Sequence, residues 1–273
     1  YYRLSAAWRL TEDIHIPNVQ ELKLRAAYGT AGQRPGFADQ YEVMAISGGL
    51  TQKSQLGNMH LKPSLSKEWE LGLNFDFLNR FSFEVIRSIT NTSDQILAVP
   101  LAVQYGGWPS QVQNAGSLNS KVWEASFNAA VVRKTNFTYN AGFIFDRIRT
   151  KITELTVPPF QTGPQGQEAD KCFYIREGEV FGAMYGYKFL TSLEEMRQQL
   201  GADDNIDNYV LNSDGFVIRK GTEGTTEEKP IKKLDEEGAL WYGKTGDSNP
   251  KFKMAMTNNL SYKGIGLYAL LEW

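Results

Sequence analysis

Histidine and cysteine are almost missing from this chain: two histidines, His15 and His60, and one cysteine, Cys172, stand among 273 residues. A lone cysteine excludes an intramolecular disulfide framework and any multi-cysteine zinc site. A Ser–His–Asp centre would have to recruit its base from a short turn or a loop, and no nucleophile-elbow motif is present. An excess of one charge is missing too, since 29 Lys+Arg face 31 Asp+Glu, so nucleic acid has no electrostatic footprint to follow. No run approaches the ~18 consecutive apolar residues of a transmembrane helix, and the mean hydropathy is −0.40. That average suits a soluble protein, and it suits a transmembrane β-barrel equally, because barrel strands are polar at every second position. The chain lacks an initiator Met and a basic-plus-apolar leader, and both ends fall inside alternating patterns. We therefore expect an internal piece of a longer protein.

What is present is period two. In Trp69-Glu70-Leu71-Gly72-Leu73-Asn74-Phe75-Asp76-Phe77 every odd residue is large and apolar, and every even one is small or polar. Strand side chains alternate between faces, so the segment has one apolar side and one wet side. The pattern recurs, and eight strands are expected: 1–10, 20–29, 67–77, 81–90, 121–132, 136–149, 251–262 and 265–273. Most approach the ~9–11 residues with which a tilted strand crosses a bilayer. The connections 11–19, 30–66, 78–80, 91–120, 133–135, 150–250 and 263–264 alternate strictly between short and long. Such alternation fits an outer-membrane barrel, with tight periplasmic turns and long extracellular loops at 30–66, 91–120 and 150–250. Phe75, Phe77, Phe81 and Phe83 flank one short turn, where an interfacial aromatic girdle belongs. The expected fold is all-β, an antiparallel transmembrane barrel segment of about eight strands.

Several stretches carry a family resemblance. They are Asn91-Thr92-Ser93-Asp94-Gln95-Ile96-Leu97-Ala98-Val99-Pro100-Leu101, then Gln113 to Glu124, then Arg176 to Tyr187, and Asn249-Pro250-Lys251-Phe252. Leu24-Arg25-Ala26-Ala27-Tyr28-Gly29-Thr30-Ala31-Gly32 and Leu61-Lys62-Pro63 fit the same order. Together the chain resembles the barrel of the SusC/RagA family of TonB-linked outer-membrane nutrient importers. The resemblance implies that residues 1–273 are part of a plugged barrel of the ~22-strand class, with the plug domain and TonB-binding segment lying outside this stretch. It also implies a SusD/RagB-like surface lipoprotein, the TonB complex and outer-membrane lipid as partners. An oligosaccharide or peptide would be the cargo, and the chain would be no enzyme.

Candidate positions follow from these two readings. Glu68, Glu70, Asn74, Asp76, Asn128, Asn140 and Asp146 are expected to line a polar lumen. Tyr105, Trp108, Trp241 and Tyr242, taken as exposed loop aromatics, are the candidate substrate or partner contacts, because a ring offers a flat apolar face and a polar edge. Tyr185 and Tyr187 are read as packing residues instead. No cofactor is expected, apart from a weak calcium pattern in 203–214. There Asp203, Asn205, Asp207 and Asp214 approximate a calcium loop, although Asn208 stands where glycine belongs and Asp214 replaces a bidentate Glu. The 150–250 connection holds 18 acidic and 11 basic residues, a charge suited to a docking surface for the lipoprotein. Two other readings fit part of the pattern: a soluble β-sandwich carbohydrate-binding protein, and an outer-membrane barrel hydrolase.

Overall fold

The computed structural model describes residues 1–102, 104–165, 171–201 and 204–273. Two compact units emerge, one of Tyr1–Phe160, Ile175–Phe181 and Asn249–Trp273, the other of Gln161–Tyr174 and Gly182–Ser248.

The first unit is built on one sheet of eight strands. In chain order they are β1 (Arg3–Arg9), β2 (Val19–Gln33), β3 (Ser64–Phe77), β4 (Phe81–Ser93), β5 (Gly116–Lys134), β6 (Phe137–Leu155), β7 (Lys253–Tyr262) and β8 (Ile265–Glu272). Their order in the sheet is the same, and every neighbouring pair is antiparallel. Such a meander is one layer, which removes the sandwich reading: a sandwich needs two sheets facing each other. Among the described residues β1 and β8 each pair on one side only, so the sheet has two open edges.

Register keeps the two faces separate across the whole sheet. Trp8, Leu24, Leu73, Val85, Ala125, Phe145 and Met254 lie opposite one another in one row. One residue along, Arg25, Gly72, Ile86, Glu124, Asp146 and Lys253 form a row on the other face. The apolar face is bare: Leu71 is 57% exposed and Leu267 62%. A continuous apolar surface of this extent marks contact with lipid or another partner. No helix among the described residues is long and apolar enough to cross a membrane.

Short turns and long loops segregate as expected. Leu78 and Asn79 both take positive φ, 55° and 52°, and the Arg80 N–H closes onto Phe77 O at 3.2 Å. Lys263 and Gly264, at 46° and 88°, make the two-residue hairpin turn between β7 and β8, a geometry whose twist matches the strands. On the loop side the strands run further than the hydrophobic contrast indicated. The strand expected at 121–132 begins at Gly116, and that expected at 136–149 reaches Leu155. Polar pairs extend the ladder there: Ser66 with Thr92 at 2.8 Å, Asn119 with Asn91 at 2.7 Å, Ser120 with Thr150 at 3.0 Å. Loop 30–66 carries the hairpin Val43–Ser47 and Leu50–Gln55, and loop 91–120 the hairpin Ile96–Pro100 and Ser110–Asn114.

The second unit has its own sheet, in the order Phe160–Gln165, Lys171–Ile175, Ala183–Tyr187 and Tyr242–Asp247. Its apolar cluster is Leu190, Met196, Tyr209 and Val217, packed by Leu193, Leu200, Ile206 and Ile231. Ser192 caps the helix Leu193–Gln198 by accepting the Glu195 N–H, while Glu195 accepts from the Thr191 N–H at 3.2 Å. The longest connection is therefore a folded unit rather than an open loop.

Candidate functional site

All seven residues expected in the lumen fall on the polar face. Glu68 and Glu70 stand opposite Thr90 and Ser88, Asn74 opposite Glu84, Asp76 opposite Ser82, and Asp146 opposite Glu124. Glu68 accepts a hydrogen bond from Thr90 Oγ1 at 2.7 Å. Asp76, Asn128 and Asn140 converge with Arg80, Arg133 and Thr257 around a recess of 440 Å³ at the short-turn end. Gly142 forms part of that recess, where an added Cβ would meet Thr257 Oγ1 at 2.5 Å and Asn128 Oδ1 at 2.9 Å. The recess offers amide, hydroxyl and both signs of charge, a surface that can hydrogen-bond a polar occupant in many orientations.

One polar-face feature escaped the sequence reading as a pair. Arg25 Nη2 bonds Glu84 Oε1 although the two sit on strands separated by β3. They meet over Gly72, where an added Cβ would lie 3.0 Å from Arg25 Nε. Alternation already places Arg25 and Glu84 on the wet face; the missing side chain at Gly72 is the signal that lets them reach each other.

The loop aromatics separate. Tyr105 is 57% exposed, as expected of a contact residue. Trp108 is not: only 8% of it is exposed, because the hairpin Ile96–Pro100 and Ser110–Asn114 closes beside it and Lys53 Nζ covers its ring at 5.3 Å. Its expected exposure is therefore corrected to a packing position. In the second unit Trp241 lies under Lys188 Nζ, 4.7 Å from the ring, and lines a cavity of 840 Å³ with Gln198, Asp235, Glu236 and Glu237. Tyr242 accepts from Gln161 Nε2 at 2.6 Å and touches the rings of Tyr185 and Tyr187 at 6.1 and 5.4 Å. Tyr185 and Tyr187 thus pack, as their sequence reading had it.

The calcium pattern does not close on a point. Asp203 lies outside the described residues. Asn205 caps the turn Ile206–Asn208 by accepting the Asp207 N–H, and its own amide donates to Asp207 Oδ2 at 3.3 Å. The strand Tyr209–Leu211 then separates both from Asp214, which sits in the following turn. A three-residue strand spans ~10 Å, whereas calcium ligands must converge at ~2.4 Å from one ion. Among the described residues no group of three or more His, Cys, Asp or Glu could hold a metal ion.

Three carboxyls of the second unit are held below their ordinary range. The Thr191 backbone N–H and the Lys233 charge lower Glu195, the Tyr209 hydroxyl lowers Asp204, and the Asn212 amide with the Gly224 N–H lowers Glu228. Each carboxylate accepts hydrogen bonds that favour its ionised form.

With one face apolar, the other polar and every long loop at one end, comparison with known proteins becomes decisive. The family model described as "TonB dependent receptor-like, beta-barrel" matches residues 1–171. The chain belongs to that family. TonB-dependent receptor P3 of Formosa agariphila is 26% identical over 285 residues, covering 96% of this chain and 26% of that protein. TonB-dependent receptor SusC of Bacteroides thetaiotaomicron is 25% identical over 193 residues, covering 64% of this chain and 18% of SusC. A chain of the RagAB peptide importer in its "open-open" state superposes with a TM-score of 0.68 at 17% identity, covering 98% of this chain and 28% of that one. The chain thus spans about a quarter of the length of relatives such as P3 and RagAB. It is a SusC/RagA-like segment of a TonB-dependent receptor barrel, sited in the bacterial outer membrane. In outer-membrane barrels the apolar face meets lipid, short turns lie on the periplasmic side and long loops outside.

Proposed function

We propose that the segment forms part of the wall and mouth of an importer that takes up oligosaccharides or peptides with energy relayed by TonB. The observation that carries this is the polar face: from β2 to β7 it presents carboxylates, amides, hydroxyls and the Arg25–Glu84 pair instead of an apolar core. Such a surface costs little only if it lines a polar interior, and it can hydrogen-bond a hydroxyl-rich or amide-rich cargo. Likeness to SusC and to a peptide importer supports the same reading. Glu68, Glu70, Asn74, Asp76, Asn128, Asn140 and Asp146 would line the lumen, and exposed Tyr105 with Trp241 would contact cargo or partner. The acidic unit Gln161–Tyr174 and Gly182–Ser248 would dock a SusD/RagB-like surface lipoprotein. The relatives are named as receptors and importers, which favours transport over hydrolysis.

Uptake of fluorescent oligosaccharides and peptides by cells with and without the intact receptor tests this. Loss of one cargo class on deletion, and again on removing TonB, is expected. Undiminished uptake of both classes overturns the proposal. Excising residues 182–248 should abolish copurification of a lipoprotein while the barrel still assembles; retained copurification removes the docking role.

A further inference from the structure

The lipid-facing side carries a second pattern toward its extracellular end. On β3, Lys67 stands two residues beyond Trp69; on β5, Lys121 stands two beyond Trp123; on β6, Arg147, Arg149 and Lys151 follow Phe145; and β4 adds Arg87. Period two keeps each of these on the same face as the aromatic it follows. Register then gathers them. Lys121 lies directly opposite Arg149, Trp123 lies between Arg87 and Arg147, and Lys67 and Lys151 flank the next row. None of the six forms an ion pair with a described residue. Among the described residues of β3 to β6 the acidic residue on this face at that end is Glu154, beyond the cations and engaged by Ser117 Oγ at 3.0 Å.

Like charges placed directly opposite one another destabilise a sheet, so Lys121 beside Arg149 calls for an anion. Two of the guanidiniums are already ordered. Arg87 lies 4.7 Å over the Trp123 ring with Nη1 on Val122 O at 3.2 Å, and Arg149 Nη1 bonds Pro250 O at 2.9 Å. The belt begins one strand step beyond Trp69 and Trp123, rings of the kind that sit at the headgroup level of a bilayer, and the long loops above it identify the leaflet as the outer one. Uncompensated Lys and Arg at that level bind anionic headgroups.

We infer that Lys67, Arg87, Lys121, Arg147, Arg149 and Lys151 form a binding site for phosphorylated lipid headgroups of the outer leaflet. A headgroup phosphate sits between Lys121 and Arg149, with the Trp123 ring against the more apolar part of the same lipid. This depends on the membrane placement of the sheet and not on what the receptor imports.

Native mass spectrometry of the intact receptor in detergent tests it, with diphosphorylated lipid A, phosphatidylcholine and inorganic phosphate as probes. Diphosphorylated lipid A should be retained about tenfold better than phosphatidylcholine, and a Lys121→Gln/Arg149→Gln double variant should lose most of that advantage. Lys263→Gln, at the periplasmic turn, should change nothing. Heat-modifiable gel migration checks assembly; if the double variant does not assemble, Lys67→Gln/Lys151→Gln takes its place. Equal retention of both lipids, unchanged retention in an assembled variant, or displacement by inorganic phosphate at the lipid's own concentration each overturns the proposal, the last because it marks a free-anion site.

Discussion

Replacing Arg80 by Met should loosen the periplasmic end of the sheet by a calculable amount. Between Val132 opposite Tyr139 and Ala130 opposite Asn140 the register of β5 and β6 slips, leaving Val131 without a partner across the ladder. Arg80 repairs this bulge. Its Nε donates to Ala130 O at 3.0 Å and its Nη2 to Val131 O at 2.5 Å, while its backbone carbonyl accepts the Ala130 N–H at 2.8 Å. Hydrogen bonds from a charged donor contribute ~1.5–3 kcal/mol each, and the exposed guanidinium argues for the low end. Two such bonds, not fully additive, give about 2–3 kcal/mol, or roughly 30- to 150-fold in the folding equilibrium. Met keeps the aliphatic stem and removes both donors. Lys should restore less than half, since an ammonium cannot fork to two carbonyls from one plane. Urea titration of the refolded receptor, followed by tryptophan fluorescence, reads the change as a lower midpoint at constant slope. A loss below about 0.5 kcal/mol, or full rescue by Lys, would refute the role assigned to the bulge.

Three further outcomes follow from the loops. Trp108→Ala should lower the stability of loop 91–120 by about 3 kcal/mol, because it empties a buried site, and faster proteolysis of that loop would show it; an unchanged rate contradicts the packing role. The second unit should lose stability on acidification. Glu195, Asp204 and Glu228 are held below their ordinary range in the folded state, so their contribution is complete above a pH of about 5 and disappears as pH falls through the lowered values. The hydrogen-exchange protection factor across 190–231, corrected for the intrinsic pH dependence of amide exchange, should therefore fall below that point and stay level from neutral pH down to it; protection that weakens on the alkaline side would be the wrong sign. Millimolar calcium should produce no saturable heat in calorimetry, and a stoichiometric signal would mean that 203–214 rearranges around the ion.

The strands were legible because alternation is a local property. Trp69 to Phe77 announces its two faces without knowledge of any neighbour, and the turns at 78–80 and 263–264 came out where expected. Strand ends were less legible on the extracellular side. Ser117-Leu118-Asn119-Ser120 has one apolar residue among three polar ones and no alternation, so nothing in its hydropathy distinguishes strand from loop; the Asn119–Asn91 and Ser120–Thr150 bonds that extend it come from other strands. Trp108 shows a related gap. Gly106-Gly107 and Pro109 mark a turn correctly, but whether the ring between them faces water depends on Lys53, more than fifty residues earlier. The folded insert was hidden for a third reason. Its core joins Leu190, Met196, Tyr209 and Val217 through short elements with no sustained period.

The most direct test of the membrane assignment compares two adjacent positions. Leu73 lies midway between Trp69 and Phe77 on the apolar face, beside Leu24 and Val85, and Asn74 lies on the polar face beside Lys23 and Glu84. In a Cys172→Ser background, a bimane fluorophore is attached at Leu73→Cys or at Asn74→Cys of the receptor in bilayers. Quenching is then measured with lipid-borne nitroxide and with aqueous iodide. Nitroxide should quench the label at 73 and spare that at 74, with iodide showing the reverse. Equal quenching at both positions, or nitroxide acting on 74 instead, would contradict a sheet whose apolar face meets lipid.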